Sequence, residues 1–85
     1  MSYTVKIWDK RPTRYHAVVC NTERQADEVA ETEMLIALLA LKRGEDATRD
    51  IEILGPSGYH TYGYWFDDEQ QAWLGEYGDP VFDLS

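Results

Sequence analysis

Cys20 is the only cysteine in the 85 residues, which excludes an intramolecular disulfide and the stapled folds of small secreted proteins. Set after Ala17, Val18 and Val19, it reads as a buried or half-buried strand residue rather than a nucleophile. Only two histidines are present, His16 and His60, and neither stands in a nucleophile motif. One Cys and two scattered His fall short of the roughly four ligands that a zinc site draws together. Asp67-Asp68-Glu69 lacks the alternating spacing and central Gly of a calcium loop, and Gly55-Pro56-Ser57-Gly58 lacks the Lys and following helix of a phosphate loop. The chain is therefore read as a non-enzyme, with no catalytic, cofactor-binding or metal-ligating residues.

Positive charge is also scarce. Eight Lys and Arg face sixteen Asp and Glu, a net charge of −8, and no Lys or Arg follows Arg49. Such a chain is repelled by phosphate backbones and anionic bilayers, so nucleic acid and membrane are not expected as direct partners. A basic protein surface is. The longest apolar run, Met34–Leu41, is eight residues, against about 20 for a membrane span. The opening MSYTVKIWDK has no apolar signal core, and a cytoplasmic location is expected. The length suits one domain over residues 1–85 with a thin stability margin.

What is present is clear periodicity. Tyr3, Val5 and Ile7 alternate with Thr4, Lys6 and Trp8, the period of a half-buried strand. Asp9–Thr13 is a polar breaker, and Tyr15, Ala17 and Val19 then alternate with His16 and Val18, which predicts a hairpin. Thr22 with Gln25 makes a capping box, Lys42 and Arg43 suit a helix end, and Gly44 suits a left-handed stop. A helix is predicted from about Glu23 to Arg43. Its second half is apolar on every face, so a sheet can cover only part of it. The C-terminal segment or a second copy must cover the rest, and Leu35, Leu38 and Leu39 are the candidate dimer residues.

Ile51 and Ile53 mark a third strand, and Tyr59–Phe66 a fourth after the Gly55–Gly58 turn. Gly63 within it suggests a bulge or a close backbone approach. Residues 67–75 read either as a turn into a fifth strand, Gln71–Gly75, or as a short helix. The hairpin is preferred because Trp73 would then pair with Trp65 or Phe66. The tail from Tyr77 to Leu84 reads as irregular, with Val81, Phe82 and Leu84 folded back over the helix. The expected class is α+β: one long helix on an antiparallel sheet, in the order ββαββ with a fifth strand.

Eight acidic residues from Asp50 onward are interleaved with Tyr59, Tyr62, Tyr64, Trp65, Phe66, Trp73, Tyr77 and Phe82. Tyr and Trp anchor protein interfaces, and carboxylates around them steer a basic partner. Tyr64, Trp65, Asp67, Asp68, Glu69 and Trp73 are the predicted partner-binding residues. Lys6, Lys10, Arg11 and Arg14 form an opposite, basic pole at the first hairpin.

Tyr3–Trp8, Tyr15–Val19 and the Thr22-Glu23 helix start resemble HicB-type antitoxins over about half the chain. That family's third strand and its loop before the helix are missing here. In size, acidity and two-layer organisation the chain is similar to small phage-borne anti-CRISPR proteins, a collection that no residue motif defines. The second resemblance implies an inhibitor that blocks a basic, nucleic-acid-binding surface of a larger protein.

Overall fold

The computed structural model describes residues 2–9, 14–48 and 50–83. Lys10, Arg11 and Leu84, to which the sequence assigned a basic pole and a helix cover, lie outside them. The elements are β1 (Tyr3–Asp9), β2 (Arg14–Cys20), α1 (Glu23–Lys42), β3 (Asp50–Leu54), β4 (His60–Asp67), β5 (Ala72–Leu74) and β6 (Pro80–Asp83). The strands form one antiparallel sheet in the order β2-β1-β3-β4-β5-β6, with α1 packed on it. The α+β class and the hairpin over residues 67–75 are as expected, and Trp73 pairs with Phe66. The tail differs. It forms a sixth strand, because Phe82 pairs with Trp73 and enters the core from the sheet rather than folding over the helix.

The helix begins where its cap places it. Thr22 is the N-cap, and its hydroxyl accepts from the Gln25 backbone N–H at 3.1 Å. The Gln25 side chain reaches back to the Asn21 N–H at 2.9 Å, one residue before the cap. At the other end Gly44 takes a φ of +80°, the left-handed stop. Ala26, Ala30, Met34, Ala37 and Leu38 face the sheet. The small alanines let the backbone of α1 approach β1 and β2 on one side and β5 and β6 on the other.

Register sorts the strand side chains into two faces. Toward the helix point Val5, Ile7, Cys20, Ile51, Ile53, Phe66 and Trp73, which make the core with Val18, Tyr62, Tyr64 and Phe82 at its margin. On β2 the alternation alone left the inward face open, and Cys20 is buried as expected. Val18 lies opposite Val5 and Cys20 opposite Tyr3, so Tyr15, Ala17 and Val19 turn away from the helix. Register with β1 decides this, since Val5 and Ile7 are both fully buried.

The apolar helix half is only half covered. Leu38 is 4% exposed and belongs to the core, so it is not available to a dimer. Leu35, Ile36 and Leu39 stay about half exposed, with no C-terminal segment over them among the described residues.

Candidate binding face

The face opposite the helix carries the second set of strand residues. One row across it runs Tyr15, Trp8, Asp50, Trp65, Leu74, each paired with the next across the sheet. The Trp8 and Tyr15 rings meet at 4.7 Å between centroids, and Lys6 Nζ sits 4.5 Å from the Tyr15 ring centre. Trp65 is 37% exposed, while Leu74, its neighbour across the pair, is buried. Asp50 stands between Trp8 and Trp65, and partial burial raises its carboxyl above the usual range.

The next row holds Ala17, Lys6, Glu52 and Gly63. Here His60 joins two elements. Its Nδ1 lies 2.8 Å from Glu52 Oε2, and its Nε2 lies 3.1 Å from Glu76 Oε2. The bonds to Glu76 and then Glu52 raise the imidazole above its ordinary pKa, against an opposing effect of burial. Gly63 lies beside this contact, pressed against the backbone of β3. A Cβ there would stand 3.1 Å from the Ile51 carbonyl and 3.5 Å from His60 Cε1, which is the close approach expected of it. The bulge lies next to it, where the β3–β4 register shifts between Ile53 and Leu54.

Two loops of one shape flank the brace. In Gly55–Tyr59 the first N–H donates to the fifth carbonyl at 3.0 Å, and the fourth N–H donates to the first carbonyl at 2.9 Å. Gly75–Asp79 repeats both bonds at 2.8 and 3.0 Å, with Gly58 and Gly78 at φ +83° and +82°. Because β3 and β5 run the same way, both loops lie at one end of the sheet. The spacing Gly-x-x-Gly in both was the available signal, and only the first was read as a turn.

The predicted partner-binding residues do not come together. Trp65 is on the open face. Tyr64 is on the helix side, where burial first and then Asp27 and Glu31 raise its phenol. Trp73 is fully buried and cannot touch a partner. Asp67 organises the β4–β5 turn, accepting from the Glu69 N–H at 3.1 Å and the Gln70 side chain at 2.9 Å. Asp68 and Glu69 are exposed on that turn. The sequence reading missed Trp8 and Tyr15 as members of the face. The alternation had already set Trp8 with Thr4 and Lys6 on the outward side.

Both ring nitrogens of His60 lie within hydrogen-bond distance of carboxylates, Glu52 on one side and Glu76 on the other. Among the described residues, no group of three or more His, Cys, Asp and Glu is placed to hold a metal ion. No helix there is long and apolar enough to cross a membrane. No protein-family model, curated protein or solved structure matches the chain.

Proposed function

We propose that the chain is a non-enzymatic binding protein, which lays its open sheet face on a basic surface of a larger protein. The observation that carries this reading is the row Tyr15–Trp8–Asp50–Trp65: three large rings around a carboxylate on the sheet, Tyr15 and Trp65 exposed and Trp8 partly so. Rings of this kind present much contact area at little entropic cost. Asp68 and Glu69 on the neighbouring turn, with the net charge of −8, steer a cationic partner. A basic surface that ordinarily holds nucleic acid fits both features, and occupying it makes the chain an inhibitor, as the anti-CRISPR resemblance implies.

Affinity capture from a bacterial lysate tests the proposal, with wild type and the Trp8→Ala/Trp65→Ala double variant as baits. Wild type is expected to retain a basic protein that added nucleic acid displaces, and the variant to lose it. Retention of the same proteins by both baits contradicts the reading.

A further inference from the structure

The strand β2 is one edge of the sheet. It runs seven residues, pairs with β1 without a bulge and contains no proline. The opposite edge, β6, is four residues long and starts at Pro80, which blunts it. An edge with no such device offers its backbone N–H and C=O groups to another strand. Beside it, an open groove of about 560 Å³ separates β2 from α1, with Val18, Val19, Val29 and Thr32 among its walls. Val19 is 69% exposed and Tyr15 45%. The helical repeat extends the wall. Ile36 stands four residues after Thr32 and seven after Val29, and Leu39 seven after Thr32. Edge, groove and helix flank adjoin, and they set Val18, Val19, Val29, Ile36 and Leu39 beside the polar groove residues Gln25, Glu28, Thr32 and Glu33.

We propose that this side is the seam of a symmetric homodimer, made by antiparallel pairing of β2 with β2 of a second copy about a two-fold axis at Ala17. The strand is self-complementary in that register and pairs along its whole length. Tyr15 meets Val19 on the open face, an aromatic–β-branched pair, and His16 meets Val18 on the helix face. A slip of one residue would turn the second copy over and send its helix to the opposite face. The Ala17 register keeps both helices on one side, where the flanks bearing Ile36 and Leu39 turn toward each other.

Charge fits the same arrangement. Arg14 opens β2, and Glu28 and Glu33 line the groove beside Cys20 at its other end. Antiparallel pairing directs Arg14 of each copy toward the acidic wall of the other. An unrelated strand would satisfy the edge alone, whereas a second copy also covers the helix flank. The open faces then join into one continuous sheet.

Sedimentation velocity on the full chain over a concentration series tests the seam. The expected result is a monomer–dimer equilibrium, with Val19→Lys and Ile36→Lys each raising the dimer Kd at least about tenfold. Both positions are exposed, and circular dichroism confirms that the variants keep the fold. Paired Cα atoms lie about 4.5–5.5 Å apart, within disulfide range. Ala17→Cys under mild oxidation is therefore expected to give a covalent dimer. Tyr15→Cys, which the register sets against Val19, gives none, and wild type with its buried Cys20 gives none. A wild-type chain that stays monomeric at high micromolar concentration overturns the proposal. So does a dimer that Leu35→Glu breaks but Ala17→Cys does not link.

Discussion

Trp73 is the largest of the fully buried side chains, and it sits between Phe66 and Phe82 on neighbouring strands. Its indole meets the Phe66 ring edge-on at 6.0 Å between centroids. Trp73→Ala is expected to cost about 3–5 kcal/mol, a large share of the roughly 5–15 kcal/mol available to a folded domain, as read by urea denaturation. His60 acts differently, because its contribution depends on charge. Its pKa is raised in the folded state, so the brace to Glu76 and Glu52 is fully effective below the ordinary imidazole value of about 6.5 and fades as pH rises through the folded value. The melting-temperature gap between wild type and His60→Gln should therefore be wider at about pH 6 than at about pH 9. An equal gap at both would show that the imidazole charge contributes nothing.

At the scale of elements, α1 separates covered from uncovered leucines within one turn. Leu38→Ala is expected to cost about 2–5 kcal/mol and Leu39→Ala under about 1 kcal/mol, measured by the same denaturation. The helix was legible to within a residue because its cap, its charged ends and Gly44 are local signals. The first four strands and the turn after Gly55 were legible from alternation and turn residues. The faces of β2 were not, because Tyr15-His16-Ala17-Val18-Val19-Cys20 supports either face, and only pairing with Val5 and Ile7 selects one. The strand β6 was hidden for a similar reason. Its Pro80 and short length argue against a strand, and it exists because β5 offers an edge. The candidate face was legible in kind, as rings among acids. Its membership is not legible from the acidic C-terminal half alone, because the sheet sets β1 directly beside β3 and so joins the N-terminal hairpin to the same face.

Across the whole molecule, two surfaces carry the proposed contacts: the ring-bearing sheet face and the side made of β2 and the helix flank. The first is the one proposed to meet a basic partner, and its association should weaken as salt rises, since screening shortens the reach of the chain's net negative charge. The three tryptophans provide a direct probe of that proposal, because two lie on the face and one lies in the core. Labelled with 5-fluorotryptophan, the chain should give three fluorine resonances. On titration with the captured basic protein, the Trp8 and Trp65 signals are predicted to shift while Trp73 holds its position. Unmoved Trp8 and Trp65 signals in a formed complex would contradict the account.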